Sequence, residues 1–193
     1  VDTIDFNNDG NTDVILLGKV LSSQASVRLY ENDGNSGFSP VSSISLEAFH
    51  IGRVKCADYT GDGLTDILLN GNSENYGVTT VLYINNGDET FTEVLSTGMD
   101  GSFRGDMTIQ DMNNDSRVDV IIHDEFEVFL SNGDGTFTSS FNFNAELLSG
   151  AAGDVNGDGF ADFLFSGLTT GTQWSIAQTQ IYFNDGVGGL IPS

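Results

Sequence analysis

The chain has 193 residues, 38% hydrophobic and 10% aromatic, enough to bury a substantial core as one or two domains. Its net charge of −22, from 28 acidic residues against 6 Lys and Arg, argues against nucleic acid and anionic membrane surfaces, which both need basic residues. Cys56 is the only cysteine, so no intramolecular disulfide can form, and no run approaches the roughly 18–20 apolar residues of a membrane span.

The first element is a short strand, Val1-Asp2-Thr3-Ile4. A nine-residue phrase follows, Asp5-Phe6-Asn7-Asn8-Asp9-Gly10-Asn11-Thr12-Asp13, and then an apolar run, Val14 to Leu17. A second apolar run, Val27 to Tyr30, leads into Asn32-Asp33-Gly34, and Phe38 opens the next strand. The order then repeats. Arg53 to Ala57 precedes the phrase Asp58-Tyr59-Thr60-Gly61-Asp62-Gly63-Leu64-Thr65-Asp66, which is followed by Ile67 to Leu69, Val81 to Ile84, Asn85-Asn86-Gly87 and Phe91. Met107 to Gln110 precedes Asp111-Met112-Asn113-Asn114-Asp115-Ser116-Arg117-Val118-Asp119, followed by Val120 to Ile122, Val128 to Leu130, Asn132-Gly133 and Phe137. The last copy is Asp154-Val155-Asn156-Gly157-Asp158-Gly159-Phe160-Ala161-Asp162, followed by Phe163 to Phe165, Ile181 to Phe183, Asn184-Asp185-Gly186 and Leu190.

The phrases start 53, 53 and 43 residues apart, near the period of propeller blades. Short runs rich in β-branched and aromatic residues predict buried strands, and Asn-Gly or Asp-Gly between them predicts hairpins, because such turns need φ > 0. No amphipathic helix is evident. The predicted fold is all-β, a β-propeller of four-stranded antiparallel blades, with blades near 1–48, 49–101, 102–146 and 147–193 of a single propeller or propeller segment.

Oxygen side chains at alternate positions, a glycine at the sixth and an Asp at the ninth suit a calcium loop, since calcium takes six to eight hard oxygen ligands. Each phrase carries Asp at positions one, five and nine. Four divalent ions would add +8 to the net charge of −22 and leave −14. Without metal, the three carboxylates of a loop are expected to repel one another and weaken the fold.

This pattern resembles the FG-GAP repeats of the integrin α-subunit propeller and the related VCBS repeats, over essentially the whole chain. The resemblance implies that each loop joins the first and second strands of a blade and binds Ca²⁺, up to four in all. It implies side-chain ligation by Asp5, Asn7, Asp9 and Asp13 with the carbonyl of Asn11. In the second loop it implies Asp58, Thr60, Asp62 and Asp66 with the carbonyl of Leu64. The third set is Asp111, Asn113, Asp115 and Asp119 with that of Arg117, and the fourth is Asp154, Asn156, Asp158 and Asp162 with that of Phe160. Thr60 departs from Asn at position three. Ser116 departs from Gly at position six, which makes the third loop the least regular. The Phe-Gly and Gly-Ala-Pro elements that name the family are poorly kept.

Other motifs carry less. Cys56 reads as a small buried hydrophobe. His50 and His123 lack a second ligand at zinc spacing. Arg104-Gly105-Asp106 spells an integrin-binding tripeptide, but Gly105 aligns with Gly52 before an inner strand, so it reads as structural. Asn114-Asp115-Ser116 is a glycosylation sequon inside a metal loop and is read as unused. No catalytic grouping is identifiable, so the chain is not read as an enzyme.

The connections between second and third strands, at 19–26, 72–80, 123–127 and 168–180, vary most and lie opposite the metal loops. In the resembling family that face docks partners, and Tyr76 and Trp174 are its aromatic candidates for a glycan or protein ligand. The expected function is an extracellular calcium-binding recognition or adhesion module, because weak calcium sites fill outside cells. Val1 reads as the start of a mature or trimmed chain, with no signal peptide visible. The alternatives are a structural assembly unit of a larger propeller, an oligomer or an extracellular fibre, with self-association through open blade edges, and the propeller part of a polysaccharide-acting enzyme.

Overall fold

A computed structural model describes residues 1–19, 25–103, 106–123, 126–142, 145–169 and 176–193. The chain is all-β, with sixteen strands in four four-stranded antiparallel sheets, each a simple meander in chain order. The first sheet holds β1 (Asp2–Ile4), β2 (Asp13–Lys19), β3 (Ala25–Asn32) and β4 (Phe38–Pro40). The second holds β5 (Phe49–Ala57), β6 (Asp66–Ser73), β7 (Gly77–Asn85) and β8 (Phe91–Val94). The third holds β9 (Met107–Gln110), β10 (Asp119–Ile122), β11 (Glu127–Ser131) and β12 (Phe137–Asn142). The fourth holds β13 (Ala145–Gly153), β14 (Asp162–Thr169), β15 (Ile176–Asn184) and β16 (Leu190–Pro192). No helix among the described residues is long and apolar enough to cross a membrane.

The strands form where the apolar runs predict them, and Phe38, Phe91, Phe137 and Leu190 each open a fourth strand. Successive side chains point to opposite faces, so continuous apolar runs such as Ile67–Leu69 and Val120–Ile122 make both faces of their strands apolar. The chain divides into two compact units, Val1–Arg104 and Gly105–Ser193, each of two sheets. In the first unit, Ile4, Phe6, Ile15 and Leu29 of the first sheet pack on Phe49, Val54, Ile67, Leu69, Val81 and Tyr83 of the second. In the second unit, Met112, Ile121, Phe126 and Val128 pack on Phe163, Phe165, Tyr182 and Leu190. That core is aromatic. Phe126 stacks on Phe163 at 5.0 Å and meets Tyr182 edge-on at 5.5 Å, geometries that favour ring pairs. Gly150 makes room for it, since a Cβ there would lie 2.2 Å from Phe163 Cζ.

Of the connections between second and third strands, the one at 72–80 is tighter than the sequence implied, while 20–24 and 170–175 lie outside the described residues. The 72–80 hairpin is mostly strand, because β6 runs to Ser73 and β7 starts at Gly77, leaving residues 74–76 as the turn. In the fourth sheet β14 runs to Thr169 and β15 starts at Ile176, so the described parts of 168–180 are strand. Trp174 lies outside the described residues, as do Arg104 and Gly105 of the Arg-Gly-Asp tripeptide. In the 123–127 segment only Glu127, among the described residues, is partly exposed. His123 and Phe126 are both buried in the core, and Thr108 Oγ1 lies 2.9 Å from His123 Nε2. Cys56 is half-buried against the first unit's core, and burial pushes its thiol up, so it is not a reactive group.

Candidate metal centre

The four nine-residue phrases each span the connection from first to second strand and fold alike. The fourth and sixth positions carry the left-handed backbone. Asn8, Gly61, Asn114 and Gly157 have φ between 57° and 81°, and Gly10, Gly63, Ser116 and Gly159 between 69° and 91°. These two left-handed residues turn the loop so that side chains one, three and five face its interior. The glycine signal at position six was legible. The equal demand at position four was not, although its alternation of Asn and Gly, the residues that tolerate this region, is its signature.

The first Asp accepts the N–H of the sixth residue in every loop. The distances are 3.0 Å for Asp5 with Gly10, 2.8 Å for Asp58 with Gly63, 2.9 Å for Asp111 with Ser116 and 3.0 Å for Asp154 with Gly159. The fifth Asp accepts the N–H of the seventh, at 2.7 Å for Asp9 with Asn11 and 2.9 Å for Asp62 with Leu64, Asp115 with Arg117 and Asp158 with Phe160. In the first and third loops the oxygens of positions one and three converge on one N–H. Asp5 Oδ1 and Asn7 Oδ1 both take it from Asp9, and Asp111 Oδ1 and Asn113 Oδ1 both take it from Asp115. Asn156 Oδ1 takes the Asp158 N–H at 2.9 Å. Thr60 approaches Asp58 Oδ1 at 3.5 Å, a weak contact.

The ninth Asp stands apart. Asp13, Asp66, Asp119 and Asp162 are buried, and each clamps two backbone N–H groups. One oxygen takes the N–H of loop position two: Phe6, Tyr59, Met112 or Val155. The other takes the N–H of the residue ending the third strand: Asn32, Asn85, Ser131 or Asn184. The expected crowding of three carboxylates is therefore divided between an exposed group and a buried clamp. No group of three or more His, Cys, Asp or Glu side chains among the described residues lies close enough to hold an ion.

Burial pushes the Asp66 and Asp119 carboxyls up to about 6, against the lowering by their N–H partners, and raises Asp13 as well. At the mouth the balance reverses. The Asn11 N–H holds Asp9 low, and the Gly157 and Gly159 N–H groups hold Asp154 low. A carboxyl with a raised folded pKa binds its proton more tightly in the folded state. Its contribution is complete below about pH 4 and lost as pH rises through about 6. Metal-free protein is therefore expected to lose stability between about pH 4 and 6, read as a falling urea midpoint in chelator.

The third loop differs by more than Ser116. The Arg117 guanidinium contacts Asp115 Oδ2 at 2.5 Å, and its Nε donates to the Ser131 carbonyl at 3.1 Å. A built-in cation thus occupies the fifth-position carboxylate. Ser116 holds φ 69°, a conformation costing a Cβ-bearing residue about 1–2 kcal/mol. Ser116→Gly is expected to stabilise the protein by about 1 kcal/mol, visible as a raised denaturation midpoint.

In the first, second and fourth repeats the Gly of the following turn has a packing role besides its φ. A Cβ on Gly34, Gly87 or Gly186 would lie 2.8–3.1 Å from the position-seven side chain: Asn11, Leu64 or Phe160. The donor set fits Ca²⁺ chemically, because positions one, three, five and nine offer hard oxygens only. Each carboxylate oxygen that accepts one N–H also keeps a second acceptor site. Asp5, Asn7 and Asp9, with their counterparts, would hold the ion.

Tyr76 sits at the other end of the second sheet and is 45% exposed beside Ile51 and Val78. Its N–H donates to Ser73 Oγ, while Asn75 donates twice to Glu47, at 2.9 Å each. The charges of Glu93, then burial, then Glu47 raise its hydroxyl.

A family model described as FG-GAP-like repeat matches residues 5–69, 58–122 and 111–165. Each match begins at a nine-residue phrase and runs through the strand after the next one. The chain belongs to the FG-GAP-like repeat family. No curated protein matches it.

Proposed function

We propose that the chain is an extracellular calcium-binding β-propeller module whose ions hold its blades and whose loop-distal end recognises a glycan or protein. The observation that carries the calcium reading is the fourfold recurrence of one loop network, in which side chains one and five accept loop N–H groups in all four loops and side chain three does so in the first, third and fourth. Asx-rich turns need only one such side chain to shape a bend. Two or three per loop, four times, exceed what a turn requires. Calcium in this reading is structural, since the described residues hold no helix pair to open and close as in a sensor. The same reading favours a location outside cells, where calcium is abundant enough for modest sites.

The recognition end rests on Tyr76, Ile51 and Val78. They expose apolar surface beside the Glu47 carboxylate and the Asn75 amide, a mixture suited to a sugar ring or a protein side chain. Trp174 belongs to the same set by its place in the sequence. No reaction is assigned to the module. Glycan-array and surface-binding assays with wild type, Tyr76→Ala and Trp174→Ala provide the test. Binding lost in either variant, with an unchanged melt, is expected. Binding unchanged in both would remove this end as the recognition site.

A further inference from the structure

We propose, resting on the calcium reading above, that the third loop braces the fourth: the Asn114 side chain holds loop four in the shape that takes its ion. Asn114 is then a positioning residue for a site to which it donates no ligand.

Asn114 occupies position four of the third loop, at φ 57°. Its Nδ2 donates to the Gly159 carbonyl at 3.0 Å, across 45 positions of sequence. Gly159 is position six of the fourth loop, and both loops belong to the second unit. Glycine has the most backbone freedom of any residue, and Gly159 sits at φ 91°. Its N–H donates to Asp154 at 3.0 Å. On its other side, the Gly159 carbonyl and the Phe160 N–H belong to one planar peptide unit. Asn114 holds the carbonyl end of that unit, and Asp158 holds the N–H end at 2.9 Å. The two peptides flanking Gly159 are therefore both fixed. The next carbonyl along is that of Phe160, which the family resemblance gives to the ion.

The second loop supplies the comparison. Gly63 has the same place at φ 88°, its N–H donates to Asp58 at 2.8 Å, and the Leu64 N–H donates to Asp62 at 2.9 Å. Position four of the preceding loop is again an asparagine, Asn8, also at φ 57°. Among the described residues, no hydrogen bond joins Asn8 to Gly63. Loops two and four thus share these internal bonds and differ in the external one.

The brace needs no metal of its own. Arg117 bonds Asp115 at 2.5 Å and the Ser131 carbonyl at 3.1 Å, so loop three is closed by its own cation. The Asp115 N–H, next to Asn114, is held by Asp111 and Asn113. Asn114 is thereby fixed in metal-free protein, where Asp154 and Asp158 of loop four are exposed and repel each other. A site that is competent for part of the time binds with an affinity lowered by that fraction. The brace raises the competent fraction of loop four.

Asn114→Gly removes the amide and keeps the left-handed backbone, since Gly61 and Gly157 hold position four in loops two and four. Asn114→Asp keeps the shape and cannot donate. The first readout is backbone amide exchange in the metal-free 193-residue chain. The Phe160 N–H is expected to exchange about two- to tenfold faster in both variants, the range of one net hydrogen bond. The Val155 N–H, in the same loop but clamped by Asp162, is expected to be unchanged, which a general loss of stability would not allow. Asn8→Gly, the matching change in the first unit, is expected to leave exchange at Leu64 unchanged. The second readout is calcium titration by calorimetry in an Asp9→Ala, Asp62→Ala background, where loop four is the remaining regular site. Adding Asn114→Gly is expected to raise Kd about two- to tenfold at unchanged stoichiometry. Unchanged exchange at Phe160 in both variants, or an unchanged Kd, would overturn the proposal. A background chain that takes up no calcium would sink the calcium reading, and the exchange comparison would then decide the brace alone.

Discussion

Asp66→Ala is expected to destabilise the protein by about 3–5 kcal/mol, whether or not calcium is present. Asp66 is fully buried, and its two oxygens accept the N–H groups of Tyr59 at 3.0 Å and Asn85 at 2.9 Å. Each buried donor left without a partner costs about 1–3 kcal/mol. Burial opposes ionisation of Asp66, and its removal returns part of that penalty, but two orphaned donors and a cavity outweigh it. Asp66→Asn is expected to fall between, since an amide supplies one acceptor and turns a donor toward the other N–H. Asp62→Ala is the control. Asp62 is exposed and caps the Leu64 N–H, which water can reach, so its metal-free effect is expected within about 1 kcal/mol. Urea denaturation of the three variants, in chelator and in calcium, separates clamp from ligand. Equal losses at Asp62 and Asp66 in chelator would contradict this division.

Removing calcium is the second large effect. An ion that binds only the folded state at one hundred times its Kd stabilises by about 2.7 kcal/mol per site. The first unit carries two regular loops and is expected to gain about 5 kcal/mol, of the order of 20 °C in Tm for a unit of roughly 100 residues. The second unit carries one regular loop and the Arg117-neutralised one, so its gain is expected to be about half. Scanning calorimetry in chelator and in excess calcium reads both shifts. Added calcium is also expected to flatten the pH dependence between about pH 4 and 6, because an ion beside Asp58 and Asp62 cancels the charges that help to raise Asp66. A Tm unmoved by chelator would remove the structural role of the ion.

Much of the architecture was legible in the residues. Runs such as Val14–Leu17 and Phe163–Phe165 placed the second strands, and Gly34, Gly87, Gly133 and Gly186 marked the turns before Phe38, Phe91, Phe137 and Leu190. Periodicity and turn chemistry are local, so they survive in sequence. What was not legible depends on partners far along the chain. The ninth Asp looks like its fellows in the phrase, yet the third strand nineteen residues on turns Asp66 into a clamp through Asn85. Phe126 lay in a segment read as a surface hairpin, and only the rings of Phe163, Phe165 and Tyr182 explain its burial. Asn85 and Asn184 looked like turn residues, and their reach to Phe6 and Met112 crosses 79 and 72 positions. Arg117 entered the sequence reading only as a carbonyl donor, and its guanidinium proves to be the cation of its own loop.

Calcium titration by calorimetry, on wild type and two variants, tests the central claim most directly. The account predicts three tight ions per wild-type chain, held in the first, second and fourth loops, with weak uptake in the third. Asp62→Ala should lose one of the three. Arg117→Leu combined with Ser116→Gly should add a fourth. Absence of saturable calcium uptake by the folded wild-type chain, or a count that ignores these substitutions, would contradict it.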